Sequence, residues 1–255
     1  MELRELLDKA SEAVEVALGP APDGIERPVA VRSAATLAGR IDHTLLTADA
    51  TMARIEQLCA EAVEHGFASV CVNSRWVPLA AETLRGSDVM VCTVVGFPLG
   101  AMSRRAKAGE CAIAVEEGAD EVDMVLDIGG LRSGDLAGAY EDMRAVADAA
   151  AGRPVKVIFE TSLLDDEQKA IACLLALRSG VAYVKTSTGF GASGATVEDI
   201  RLMRALVGDA LGVKASGGIR TTADATAMID AGADRIGASA SIAIATGAGA
   251  TSQGY

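Results

Sequence analysis

Apolar positions along the chain follow two alternating spacings. Long segments with apolar residues three or four positions apart, such as "TMARIEQLCAEAVEH" and "VEDIRLMRALVG", predict amphipathic helices. Short apolar, β-branched runs, such as "ASVCV" and "VKVIFE", predict buried strands. Glycines mark the helix-to-strand junctions, because glycine tolerates the left-handed position that follows a helix. The junction glycines are Gly39, Gly66, Gly86, Gly118, Gly152, Gly180, Gly212 and Gly232.

These junctions predict eight strands that alternate with helices across residues 39–246. Such alternation, with strands that are apolar on both faces, is typical of a parallel sheet covered by helices. Eight units in roughly 200 residues favour a closed eightfold (β/α) TIM barrel over an open doubly wound sheet. Neither G-x-G-x-x-G nor a G-K-S/T phosphate loop occurs to support the open sheet. We therefore expect residues 39–246 to form an α/β domain of the barrel class.

Two segments flank the predicted barrel. Residues 1–38 start with an amphipathic, charge-rich stretch, "MELRELLDKASEAVEVALGP", and predict a helical extension. Residues 247–255, "GAGATSQGY", are low in complexity and predict a flexible tail. The first helix lacks the apolar core of a signal peptide, and no run reaches the ~20 apolar residues of a membrane span.

Composition narrows the classes of partner. The net charge of −12 disfavours nucleic acid and anionic membranes, since both attract basic surfaces. A small anionic substrate is compatible with this acidic chain if positively charged side chains are concentrated at its binding site. The cysteines are odd in number and lack metal-type spacing, which indicates reduced thiols in a cytoplasmic protein. They are Cys59, Cys71, Cys92, Cys111 and Cys173.

Three lysines lie on predicted strands, where burial of an unpaired charge is costly. Lys156, Lys185 and Lys214 are 29 residues apart, one strand–helix unit per step, so we expect them at similar levels on adjacent strands. A lone strand lysine is more often a paired structural residue, but Lys185 and Lys214 can both point inward. Repulsion at roughly 5 Å is on the order of 3 kcal/mol, which favours one neutral, nucleophilic amine. Lys156 is expected to pair with Asp123 or Glu160.

Three predicted strand ends carry small residues, in "STGFGASG", "SGGIR" and "GASAS". In barrels of this class the loops after strands seven and eight often bind phosphate, because glycine lets backbone N–H groups approach the oxygens. Gly217, Gly218, Gly237 and Ser239 are candidates for this role. The alternative is that small residues only permit tight turns.

Histidines are too few for a typical zinc site, since only His43 and His65 occur. His65 precedes a helix-capping glycine, and His43 is expected to face the helices because it alternates with Asp42 and Thr44. Carboxylates alone could hold a divalent cation together with a substrate phosphate. The facing lysines disfavour that alternative, so we expect no metal and no cofactor.

From about Gly39 to its end, the chain resembles the deoxyribose-phosphate aldolases. The motifs are "IDHTLL", "VVGFPLG", "KVIFETSLL" and "VKTSTGF", the last followed 29 residues later by "KASGGIR". The resemblance implies a class I aldolase that reversibly cleaves 2-deoxy-D-ribose 5-phosphate to D-glyceraldehyde 3-phosphate and acetaldehyde.

The resemblance also implies residue roles. Lys185 would form the Schiff base, Lys214 would be the neighbouring cation that favours its neutral amine, and Asp123 would relay protons through a water. Tyr255, in the tail, would assist proton exchange. The matching substrate-binding positions are Asp42, Thr44, Cys71, Lys156 and Thr188. The matching phosphate-binding positions are Gly189, Gly217, Gly218, Gly237 and Ser239.

Two positions depart from the pattern of some members. Phe190 replaces a phosphate-facing lysine, and Ala240 replaces a second serine, so backbone amides would carry more of the phosphate binding. Two other functions stay open: a lysine aldolase for a different sugar phosphate, and a non-catalytic sugar-phosphate sensor. The expected partners are a small sugar phosphate and acetaldehyde, not nucleic acid or membrane. No heptad run specifies assembly, and a homodimer is one alternative.

Overall fold

The computed structural model describes residues 2–21, 24–25 and 36–247. Within these ranges, eight parallel strands close into a barrel in chain order, which confirms the predicted eightfold (β/α) TIM barrel. The strands are β1 (Ile41–Leu45), β2 (Ser69–Val72), β3 (Met90–Val95), β4 (Glu121–Val125), β5 (Val155–Ile158), β6 (Tyr183–Lys185), β7 (Gly212–Ser216) and β8 (Arg235–Ala238).

Helices cover the outside of the barrel. In the described residues they are α1 (Leu3–Leu18), α2 (Met52–His65), α3 (Val77–Thr83), α4 (Arg104–Glu116), α5 (Ile128–Arg132), α6 (Leu136–Ala149), α7 (Asp166–Ser179), α8 (Val197–Val207), α9 (Thr222–Asp230) and α10 (Ser241–Thr246). The sequence patterns did not predict α5 and α10, because five or six residues are too few to show a helical period.

The first helix packs on the barrel's outer layer. Leu6, Ala10 and Val14 of α1 are buried, and α1 contacts α7 and α6. Arg178 Nη1 on α7 donates a hydrogen bond to the carbonyl oxygen of Gly19, 2.7 Å away, just after α1 ends. None of the described helices is both long and apolar enough to cross a bilayer. The predicted boundaries at residues 38 and 247 stay predictions, and the tail from 248 lies outside the described residues.

Strand register sets which charged residues share a level inside the barrel. Lys185 pairs with Lys214 across β6 and β7, as expected from their spacing. Lys156, however, pairs with Tyr183, and it is Ile158 that pairs with Lys185. The expectation of similar levels is therefore confirmed for Lys185 and Lys214 and was wrong for Lys156. Lys156 lies one inward-facing position lower, because register follows strand hydrogen bonding rather than the length of the repeat.

Glycines at two inward positions make room for large polar side chains. A Cβ atom on Gly212 would lie 2.2 Å from the ring of Tyr183, which is fully buried. A Cβ atom on Gly237 would lie 3.0 Å from Cε of Lys214. Small residues at these positions therefore let Tyr183 and Lys214 occupy the narrow interior.

We expect Gly212→Ala to destabilise the barrel, because the new methyl group overlaps the Tyr183 ring in a packed interior. Its Tm should fall by roughly 2–10 °C in a calorimetric or circular dichroism melt. Gly109→Ala is the matched control, since Gly109 is exposed on α4 and a Cβ there meets nothing within 4 Å. That variant should melt about 2–4 °C higher, because alanine favours helix over glycine. Equal melting temperatures for the two variants would contradict this account of the interior.

Candidate active site

A cavity of about 180 Å³ opens at the carboxyl ends of the strands. This is the end at which barrel loops form binding sites. Lys185 reaches its floor, and the loops after β6, β7 and β8 form its rim. Eight of the residues predicted from the sequence line it: Thr44, Lys185, Thr188, Gly189, Gly217, Gly218, Gly237 and Ser239.

The carboxylate of Asp123 connects three lysines beneath this cavity. Its Oδ2 atom accepts hydrogen bonds from Lys185 Nζ and Lys214 Nζ, each at 2.7 Å. Its Oδ1 atom accepts one from Lys156 Nζ at 2.9 Å. Lys156 lies directly opposite Asp123 on the paired strands β4 and β5. The structure therefore pairs Lys156 with Asp123 and not with Glu160, the two alternatives that the sequence left open.

A second group of charges lies deeper in the barrel. Arg235 Nε donates to Asp42 Oδ1 at 3.0 Å, and its terminal nitrogens donate to both oxygens of Glu121 at 3.1 and 3.2 Å. Lys156 Nζ also donates to Glu121 Oε2 at 2.7 Å. Asp42 forms a further ion pair with Lys214. Asp42 is fully buried and is not part of the cavity lining, so its predicted substrate contact stays a prediction.

These contacts set the charge states of the network. Burial acts to raise the pKa of Asp123, but the ammonium groups of Lys156, Lys185 and Lys214 hold it well below its usual range. Burial acts to lower the pKa of Lys214, but the carboxylates of Asp123 and Asp42 raise it well above its usual value. Asp123 is therefore a persistent anion and Lys214 a persistent cation.

The ion-paired group around Asp123 and Glu121 contains four cations and three anions when all are ionised. The cations are Lys156, Lys185, Lys214 and Arg235, and the anions are Asp42, Glu121 and Asp123. Lys185 is the member of this group that lines the cavity. The shared carboxylate, which the sequence argument omitted, offsets part of the repulsion between the paired lysines.

Two buried thiols lie beside Asp123. Cys71 and Cys92 are opposite each other on β2 and β3, and a hydrogen bond from Cys92 is the main cause that lowers the pKa of the Cys71 thiol. Their sulfur atoms and an Asp123 oxygen lie within 4.8 Å of one another, the one such group that could hold a metal among the described residues. Asp123 already accepts from three ammonium groups, which makes this a poor cation site. Cys71 does not line the cavity, so its substrate contact stays a prediction.

The rim of the cavity is built from glycines in left-handed conformations. Gly189, Gly217 and Gly218 have φ values of 86°, 83° and 77°, which other residues rarely adopt. Phe190 points away from this lining and packs edge-to-face on Phe97, with ring centroids 5.2 Å apart. Backbone amides therefore dominate this part of the rim.

Three charged residues were missed by the sequence argument. Arg220, in "SGGIR", lines the cavity beside the glycines and adds a cation to the rim. Arg235 and Glu121 complete the deeper network. Strand alternation could have identified Arg235 and Glu121. Arg235 lies two residues before Gly237 and Glu121 lies two before Asp123, so each shares an inward face with a predicted site residue.

His43 faces the outer helices, as expected. Its Nε2 atom is 2.8 Å from Glu61 Oε2 on α2, and its ring contacts Phe67. Burial lowers the pKa of His43, against the opposing effect of Glu61. It therefore belongs to the packing between strand and helix rather than to the cavity floor.

Comparison with known proteins agrees with this geometry. The family model described as DeoC/LacD family aldolase matches residues 36–251. A deoxyribose-phosphate aldolase of Brevibacillus brevis is 57% identical over 84% of this chain and 97% of its own length. One from Exiguobacterium sibiricum is 59% identical over 83% of this chain and 96% of its own.

A solved structure agrees with the fold over nearly the whole chain. The deoxyribose phosphate aldolase of Aeropyrum pernix, described as a tetramer, superposes with a TM-score of 0.78 at 30% identity. The match covers 96% of this chain and 97% of that one. The lysine pair on adjacent strands, the closed barrel and these matches together lead to one conclusion: the chain belongs to the DeoC/LacD family of aldolases.

Proposed function

We propose that this protein is a class I aldolase that reversibly cleaves 2-deoxy-D-ribose 5-phosphate to D-glyceraldehyde 3-phosphate and acetaldehyde. The curated relatives named above carry the name deoxyribose-phosphate aldolase and support this substrate. The observation that carries the proposal is the position of Lys185. Its amine lies at the floor of the cavity, and the residue opposite it on β7 is the Lys214 cation. The Asp123 carboxylate accepts a hydrogen bond from each of these two lysines.

The reaction begins at the amine of Lys185. In its neutral form the amine attacks C1 of the open-chain sugar, and loss of water from the carbinolamine gives a protonated imine. The imine withdraws electrons, so the C2–C3 bond breaks while the C3 hydroxyl loses its proton and becomes the aldehyde of the departing triose phosphate. Protonation of the remaining enamine at C2, followed by hydrolysis, releases acetaldehyde and regenerates Lys185.

Asp123 orients the reacting amine and carries charge throughout these steps. A water hydrogen-bonded to Asp123 would relay protons between the amine and the substrate, which is the role that the resemblance implies for this residue. Lys214 keeps its own proton because the carboxylates of Asp123 and Asp42 raise its pKa, and it acts as a fixed positive charge. The Lys214 cation favours the neutral Lys185 amine before attack, whereas Asp123 orients that amine through its hydrogen bond.

The phosphate group is assigned to the glycine-rich rim. Amides near Gly189, Gly217, Gly218 and Gly237 can approach its oxygens because no Cβ atoms intervene, and Arg220 adds a positive charge. Ser239 contributes a hydroxyl at the same edge. Thr44 and Thr188 also line the cavity and add hydroxyl groups to its lining.

Assembly and location are finer parts of the proposal. The Aeropyrum pernix relative is described as a tetramer, which supports an oligomer for this chain, and the homodimer stays a prediction. The cytoplasm is the proposed location because sugar phosphates and reduced cysteines belong there. Light scattering coupled to size-exclusion chromatography would give the number of subunits directly.

Lys185→Leu is expected to abolish aldol cleavage, by at least about 10³-fold in kcat, because leucine cannot form an imine. Wild-type protein incubated with acetaldehyde and borohydride should gain an ethyl group on Lys185, located by mass spectrometry of its peptides. Lys9→Leu, on the exposed side of α1, is the control that should leave both measurements unchanged. Turnover by the Lys185 variant, or an adduct on Lys214 instead, would contradict the assignment.

Lys214→Leu is expected to move the acid limb of the kcat/KM profile upward by roughly one pH unit or more. The reason is that loss of a fixed cation leaves the Asp123 carboxylate to stabilise protonated Lys185, so a higher pH is needed to free the amine. The value of kcat/KM at neutral pH should therefore fall as well, because less Lys185 is in its neutral form. A profile from pH 5 to 10 measures the shift, and a limb that stays in place would remove Lys214 from this role.

A further inference from the structure

Glu160 has a backbone conformation that residues other than glycine rarely adopt. It lies two residues after β5, with φ 53° and ψ 63° in the left-handed region. Because that conformation costs free energy, contacts with the surrounding structure must maintain it. The side chain is 4% exposed, yet Glu160 does not line the catalytic cavity. From the sequence, Glu160 was expected only as an alternative partner of Lys156, and in the structure Lys156 pairs with Asp123 and Glu121 instead.

The carboxylate of Glu160 binds the loop that follows β6. Its Oε2 atom accepts hydrogen bonds from the backbone N–H of Thr188, at 3.2 Å, and from the Thr188 hydroxyl. The same hydroxyl oxygen accepts from the N–H of Phe190 at 3.1 Å. The other carboxylate oxygen accepts from the hydroxyl of Ser162 at 3.5 Å. One carboxylate therefore fixes the turn that contains Gly189.

The same loop is closely packed on both of its sides. A Cβ atom on Gly191 would lie 2.8 Å from Cδ of Glu160, so the chain passes directly over the carboxyl group. Farther along, a Cβ atom on Gly194 would lie 2.1 Å from the carbonyl oxygen of Gly217. The loop after β6 is thus held between Glu160 and the glycine-rich loop after β7.

We propose that Glu160 is a positioning residue that holds Thr188 and Gly189 in the orientation that binds the phosphate group of the substrate. This inference rests on the proposed function. Glu160 acts through Thr188 and does not touch the substrate, since the Thr188–Gly189 segment lines the cavity and Glu160 does not. Its negative charge is directed at the Thr188 donors, away from the rim where a phosphate would bind.

The test compares 2-deoxy-D-ribose 5-phosphate with unphosphorylated 2-deoxy-D-ribose as substrates of Glu160→Ala. We expect the KM for the phosphorylated sugar to rise about tenfold, with kcat changed less than about threefold. The kcat/KM for the unphosphorylated sugar should change less than about twofold. Glu160→Gln, which keeps one acceptor oxygen, should give an intermediate KM, and it replaces the alanine variant if that one does not fold. Ser162→Ala is the control and should match the wild type with both substrates.

A double-mutant cycle tests whether Glu160 acts through Thr188. If it does, Glu160→Gln should raise KM much less in the Thr188→Val background than in the wild type. The reason is that Thr188→Val has already removed the hydroxyl group that both substitutions affect. An equal loss with both sugars, no loss with either, or fully multiplicative effects in the cycle would overturn the proposal.

Binding of inorganic phosphate separates this inference from the proposed function. Calorimetric titration should give a phosphate Kd about tenfold higher for Glu160→Ala than for the wild type. This measurement needs no turnover, so it decides the role of Glu160 even if the wild type cleaves neither sugar and forms no acetaldehyde adduct. Equal phosphate affinity in the two proteins would overturn the role of Glu160.

Discussion

The Asp123 carboxylate, enclosed between three lysines in a closed barrel, is the interaction on which the geometry of the site depends. Each of those lysines alone would be costly to bury, because the interior solvates charge poorly. A shared anion offsets that cost and draws the ammonium groups of β5, β6 and β7 toward one point. The reacting amine is therefore oriented before any substrate enters, and its neighbours have fixed charges.

The barrel separates two kinds of chemistry along its axis. The floor is a dense network of charged side chains, completed below by Arg235 between Asp42 and Glu121. The rim is made of glycines and backbone amides, with Arg220 beside them. A covalent step needs groups held rigidly by strands, whereas an anion needs amides that can approach closely. Glu160 supports the rim from the side, since it joins the end of β5 to the loop after β6 through Thr188.

Much of the fold could be predicted because its signals are local. Glycine junctions and apolar periods gave the eight strand–helix units, and the spacing of Lys185 and Lys214 indicated their pairing, which the register confirms. The level of Lys156 could not be predicted in this way. The constant spacing of 29 residues gives only the length of chain between the lysines. The level of Lys156 in the barrel depends on which residues of β5 and β6 are paired by hydrogen bonds.

The sequence by itself determined the barrel class, the inward-facing lysines and the small residues at the strand ends, since alternation and residue type are written along the chain. Only the tertiary structure decided that Asp123 serves three lysines at once, that Arg235 and Glu121 belong to the same network, and that Glu160 binds Thr188. Those contacts join residues 28 to 114 positions apart. They exist only where barrel closure brings the strands together, so a local pattern could place Arg235 and Glu121 on inward faces but could not specify their partners.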